Sequence, residues 1–132
     1  MVVSRITALL LAVALGVTSG CSHQEWKEGG LYSVESEGSG YAVAKILKLD
    51  PGGVHIRLYS NQFPTRPPDV DASTLYMAGI NHTPNEQLGM GHLPLSRASF
   101  QNWKPVQIKV VSVNADELEG YKIWKESGGG YF

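Results

Sequence analysis

Two β-rich runs, Tyr41 to Leu49 and Val54 to Tyr59, flank the tetrapeptide Asp50-Pro51-Gly52-Gly53. In the second run Val54, Ile56 and Leu58 alternate with His55, Arg57 and Tyr59, a period of two that sends successive side chains to opposite faces of a strand. The pattern predicts a β-hairpin with one face in the core and the other wet. Its turn chemistry is in place, because proline presets φ and the glycines accept φ > 0.

Upstream, residues 22–40 are polar and hold Gly29, Gly30, Gly38 and Gly40, with one apolar stretch, Leu31-Tyr32-Ser33-Val34. The start of this segment reads as a flexible spacer and the stretch as a first strand. Downstream, Pro64, Pro67 and Pro68 reject helix interior and central strand alike, predicting an irregular connection. Thr74 to Ile80 reads as a further short strand, and His82 to Gly91 as a loop. A short helix is expected from Leu95-Ser96, capped by Ser96, with Phe100 and Trp103 on its buried side and Pro105 at its end. Val106 to Val113 is the predicted last strand. Asn114 then caps a helix running to Lys125. Glu117 stands where it can reach back to the cap, Leu118, Tyr121 and Trp124 follow helical spacing, and Gly128-Gly129-Gly130 stops the helix.

These elements make a small α+β fold, a strongly bent antiparallel sheet or partly open SH3-like barrel with the C-terminal helix over an open end. With one cysteine there is no intrachain disulfide, so Trp103, Trp124, Phe100, Tyr121, Val54, Ile56 and Leu58 are the expected core.

Ahead of the folded region, Arg5 precedes an apolar run of 12 residues, Ile6 to Val17, followed by Thr18, Ser19 and Gly20. A permanent helical span needs roughly 20 apolar residues, so this run reads as a cleavable export signal. The only cysteine, Cys21, sits where such a signal ends. Thr18-Ser19-Gly20-Cys21 resembles the lipobox of bacterial lipoproteins, with Thr18 where a large aliphatic residue is usual. The resemblance implies cleavage before Cys21 and acylation of its thiol and new amino group, palmitate being such an acyl chain. With Ser22 rather than Asp next, it implies delivery to the outer membrane of a diderm cell, facing the periplasm. Each buried CH₂ contributes about 0.8 kcal/mol, so more than one chain makes release rare. An ordinary secretory signal that leaves a free thiol is the alternative. The expected organisation is a signal over 1–20, a lipidated cysteine and tether with a first strand over 21–40, and one small α+β domain over 41–132.

The chain of 132 residues carries 11 Lys and Arg against 12 Asp and Glu, a formal net charge of −1. Loss of the signal removes one base and no acid, leaving a mildly acidic domain. Without a basic surplus there is no footprint for a phosphate backbone, and nucleic acid is not an expected partner.

Candidate chemistry is sparse. His23, His55, His82 and His92 show no metal-ligand spacing, so neither a metal nor another cofactor is expected. Gly89-Met90-Gly91-His92-Leu93-Pro94-Leu95-Ser96 would hold His92 at a defined place facing a ligand, or merely turn the chain into the helix that Ser96 caps. No Gly-x-Ser-x-Gly elbow is present, and Asp69 and Asp71 lie in a proline-rich loop where they support turns. No catalytic residues are assigned and no enzyme activity is expected. The hairpin's outer face is the better candidate, where Lys45, His55, Arg57 and Tyr59 form a mixed cationic and aromatic surface of the kind that binds peptides.

Val54-His55-Ile56-Arg57-Leu58-Tyr59, Gly91-His92-Leu93-Pro94-Leu95-Ser96, Phe100 with Trp103, and Glu117-Leu118-Glu119-Gly120-Tyr121 with Trp124 together resemble an uncharacterised small bacterial domain family. The resemblance spans roughly Tyr41 to Phe132 and implies one folded unit without an assigned activity. The functional expectation is a lipid-anchored envelope protein acting as a non-catalytic binding module. Its binding residues would be Lys45, His55, Arg57, Tyr59 and His92, its partners the membrane and an envelope protein or polymer. A periplasmic immunity protein that neutralises a toxin is the alternative, and a small hydrolase using His92 and an acid the third.

Overall fold

In the computed structural model, which describes residues 25–132, five strands form one antiparallel sheet: β1 Gly30–Glu35, β2 Tyr41–Asp50, β3 Gly53–Leu58, β4 Met90–Leu95 and β5 Val106–Val110. The predicted export signal, and Cys21 and Ser22 with the lipidation and sorting expected of them, lie outside the described residues. The order across the sheet is β4-β3-β2-β1-β5. The fold is thus α+β as the sequence predicts, with an open sheet rather than a closed barrel. The Leu31–Val34 stretch falls within β1, the first strand that the sequence predicts, which lies between β2 and β5.

The hairpin joins β2 to β3 with Asp50 opposite Gly53. Its glycines serve a different purpose from the one expected, since neither has positive φ. A Cβ on Gly52 would meet the Tyr131 ring, and one on Gly53 would strike both that ring and the Leu95 carbonyl. Close approach, not left-handed backbone, selects glycine here.

Alternation along β2 and β3 builds two layers. Tyr32, Val34, Ala44, Ile46, Val54 and Ile56 pack beneath Phe100 of helix α1 (Arg97–Asn102), joined by Trp26 and Trp103. Phe100 is fully buried and meets Trp26 and Tyr32 edge to face, at 5.0 and 6.0 Å between ring centres. Ser96 caps α1 as predicted, its hydroxyl accepting from the Ser99 N–H at 3.1 Å. On the opposite face Leu31, Val43 and Tyr59 pack against Val70, Phe63 and Leu75 of the long connection from β3 to β4.

Two predicted segments differ. Thr74 to Ile80 forms no strand; a 3₁₀ turn over Ala72–Thr74 is followed by irregular chain with a single bridge from Ala78 to Leu88. The predicted loop instead ends in β4, an edge strand that accommodates Pro94 because an edge can spare a ladder donor. At the C-terminal end, Asn114 caps a 3₁₀ turn over Ala115–Leu118 that continues into α2 (Glu119–Glu126). The reciprocal cap is present: the Glu117 N–H donates to Asn114 Oδ1 at 3.2 Å, and the Asn114 N–H donates to Glu117 Oε1 at 3.1 Å. Of the expected core, Val54, Ile56, Leu58, Phe100 and Tyr121 are buried, whereas Trp103 and Trp124 are only partly so.

Phe100 is the largest apolar contribution of α1, and Phe100→Ala is expected to cost about 3–5 kcal/mol in urea denaturation. A loss below about 1 kcal/mol would show that α1 is not needed to close that face.

Candidate functional site

Register places Lys45 of β2 opposite Arg57 of β3. Both project from the outer face of the hairpin, with Tyr59 just beyond the end of β3. That face was expected to be wet, and here the sequence reading is corrected. Lys45 is only 4% exposed, His55 0% and Tyr59 9%, while Arg57 is partly covered. The covering comes from the Asn114–Leu118 turn, α2 and the connection around Leu75.

Burying Lys45 requires a partner, because a desolvated ammonium without one is prohibitive. Its Nζ donates to Glu117 Oε1 and to the Ser112 carbonyl, each at 2.9 Å. The second Glu117 oxygen lies 3.6 Å from Arg57 Nη1, and Arg57 Nε donates to the Gly91 carbonyl at 3.3 Å. One buried carboxylate therefore bridges two cations from neighbouring strands and completes the cap that opens the C-terminal turn. Above it lies a cavity of roughly 570 Å³ whose lining includes Lys45, Arg57, Tyr59, Tyr76, Asp116 and Glu117. Two bases and two acids balance its charge, so it offers donors, acceptors and aromatic surface rather than a field of one sign. Burial and the nearby Glu117 push the Tyr59 hydroxyl above its ordinary titration range.

His55 and His92 form a second group on the same face. Between β3 and β4, Ile56 faces Leu93 and Leu58 faces Met90, so Gly91 and His92 together oppose Arg57 alone. This bulge re-aims His92 towards His55. The facing nitrogens, His55 Nδ1 and His92 Nε2, are 2.8 Å apart. The other nitrogen of His55 sits 2.9 Å from the Tyr131 hydroxyl and 3.3 Å from Asp50 Oδ2. Asp50 also accepts from the Tyr121 hydroxyl at 2.9 Å. A carboxylate accepts only, which favours the proton of His55 on Nε2 and leaves Nδ1 to accept from His92. Edge contacts from Tyr121 and Trp124, at 4.6 and 4.4 Å between ring centres, seal His55 from water.

The five sequence candidates thus divide. Lys45, Arg57 and Tyr59 line one cavity; His55 and His92 form an adjoining pair walled off by aromatic rings. Glu117 was anticipated only as a cap, Asp50 only as a turn residue, and Tyr131 not at all. A lysine inside the apolar run Ala42-Val43-Ala44-Lys45-Ile46-Leu47 was the available signal that a buried acid must come from elsewhere. Among the described residues no group of three or more His, Cys, Asp or Glu side chains is arranged so that it could hold a metal ion.

Removing one partner of a buried pair strands the other. Glu117→Leu is expected to cost about 3–5 kcal/mol, and Lys45→Met combined with Glu117→Leu to recover most of it. Equal losses in the single and double variants, measured by urea denaturation, would dissociate the two side chains energetically.

Burial lowers the pKa of both histidines below 6.5; the charge of His92 lowers His55 further, and Asp50 opposes this. Each imidazole therefore binds a proton more readily in the unfolded chain. Their stabilising contribution is complete above 6.5 and is lost as pH falls towards the lowered folded values. The urea midpoint is expected to drop between pH 7 and 5, and His92→Gln to flatten that slope; a flat wild-type profile would refute this. Comparison with protein-family models, curated proteins and solved structures finds no match to the chain.

Proposed function

We propose that the protein is a lipid-anchored lipoprotein of the cell envelope, held at the outer membrane through Cys21 and facing the periplasm, whose folded domain is a non-catalytic binding module for an envelope protein or polymer. The observation that carries the binding role is the cavity over Lys45, Arg57 and Glu117. Its two cations, Lys45 and Arg57, stand on paired strands and are held by Glu117, so a ligand meets donors that need little ordering. Arg57 presents a planar five-donor fork of which Nε and Nη1 are engaged within the protein. Tyr59 and Tyr76 supply amphipathic walls suited to peptide or polymer contact. The anchor rests on Thr18-Ser19-Gly20-Cys21 and the short apolar run before it. No helix among the described residues is long and apolar enough to cross a membrane.

A photo-crosslinking residue at position 76 tests the site in cells. A discrete adduct is expected in the membrane fraction, reduced at least tenfold by Arg57→Ala; an adduct indifferent to that change would move the binding surface elsewhere. Cys21→Ala is expected to release the protein from membranes, and an unchanged membrane fraction would reject the anchor.

A further inference from the structure

Beyond α2 the chain turns back on itself and fills a slot beside the free edge of β4. Gly128, with φ of 67°, makes the reversal, and the Gly129 N–H donates to the Trp124 carbonyl at 3.0 Å. Gly129 lies so close to the Trp124 indole that a Cβ would overlap it. Trp124 Nε1 donates to the Gly130 carbonyl at 2.9 Å. The Tyr131 ring then enters the slot floored by Gly52 and Gly53, with its hydroxyl on His55. Finally, the Phe132 N–H donates to the Pro94 carbonyl at 3.1 Å and the Phe132 carbonyl accepts from the Ser96 N–H at 2.8 Å. This is strand addition on a very small scale, with backbone bonds for affinity and a side-chain slot for selectivity.

Every feature of the slot specifies what occupies it. The Trp124 face demands glycine two positions before the aromatic residue, the glycine floor admits a flat ring, and His55 with Asp50 rewards a hydroxyl. The Pro94 carbonyl and Ser96 N–H require an extended residue afterwards. Seven polar contacts secure the five residues in place, yet three of these are glycines with the most backbone freedom to lose, and the Phe132 side chain is 75% exposed, so ordering the segment offsets much of what its contacts contribute.

We propose that this slot is a docking site for an extended Gly-x-Tyr-x peptide, which residues 128–132 fill until a partner segment of the same chemistry displaces them. It is separate from the cavity over Lys45 and Arg57. Tethering gives the resident segment an effective concentration of about millimolar, so an incoming peptide must outbind it or meet a chain in which it is weakened.

Fluorescence polarisation with the labelled peptide Ser-Gly-Gly-Gly-Tyr-Phe tests this on the full chain. The Tyr131→Gly, Phe132→Gly variant is expected to bind the peptide saturably and at least tenfold tighter than wild type does. Peptides with Ala for Tyr, or Ala for the glycine two residues before it, are expected to lose at least tenfold. A folded variant that binds no peptide, or binds the Ala-for-Tyr peptide equally well, overturns the proposal. Hydrogen exchange on the wild-type chain provides a reading that does not depend on the variant folding. The Phe132 and Ser96 amides are expected to exchange at least tenfold faster than the Ile46 and Ile56 amides, and equal protection would overturn displaceability.

Discussion

The contact between Lys45 and Glu117 constrains the outer half of the molecule. An ammonium on the middle of β2, packed among apolar neighbours, cannot be left without a counter-charge, and that counter-charge arrives from a segment 72 residues further along the chain. Desolvating two charges offsets much of their attraction, so the principal effect of the pair is positional. It fixes where the Asn114–Leu118 turn meets the sheet, and hence where α2 begins and what it covers. Because the same carboxylate completes the reciprocal cap and approaches Arg57, local helix initiation, sheet docking and the shape of the cavity are set together.

β3 turns this constraint into two adjoining environments. His55 and Arg57 lie two residues apart on one face, yet one is sealed under aromatic rings while the other borders a cavity. The division comes from the bulge at Gly91-His92, which interrupts pairing with β4 at Arg57, sends His92 towards His55 and leaves the Gly91 carbonyl to Arg57 Nε. A second bulge, at Leu47 of β2, explains why Ile46 and Leu47 are both fully buried although they are consecutive. Without these interruptions strict alternation would face the histidine pair and the ion-pair network along one uniform ladder.

The sheet was largely legible from sequence because its strongest signals are local. The alternation over Val54 to Tyr59, the Ser96 cap and the reciprocal cap of Asn114 with Glu117 each depend on residues a few positions apart. What escaped is long-range. β4 was hidden because Gly89, Gly91 and Pro94 mark loops in isolation, and only its place at the sheet edge makes proline acceptable. The outer face was read as solvated because Lys45, His55 and Arg57 are polar; nothing nearby in sequence announces Glu117, Asp50 or Tyr131 as their partners. Gly128-Gly129-Gly130 was read as a stop signal, and its second use, close packing on Trp124, needs the tertiary structure to appear.

An open five-stranded sheet has two edges, and exposed edges invite pairing with other chains. β5 is only five residues long, which limits adventitious pairing although Val106 and Val110 are exposed beside Gln107. β4 is protected differently: Pro94 withholds a donor, and Phe132 occupies the Pro94 carbonyl and the Ser96 amide just beyond the strand. Residues 131 and 132 thus perform two tasks with one set of contacts, blunting an edge and filling the aromatic slot at His55. Removing them exposes both at once, so an incoming strand must satisfy the backbone pair and the slot together to replace what is lost. A strand that meets only one requirement leaves either the edge unpaired or His55 open to water, and this coupling confers selectivity on an otherwise ordinary sheet edge.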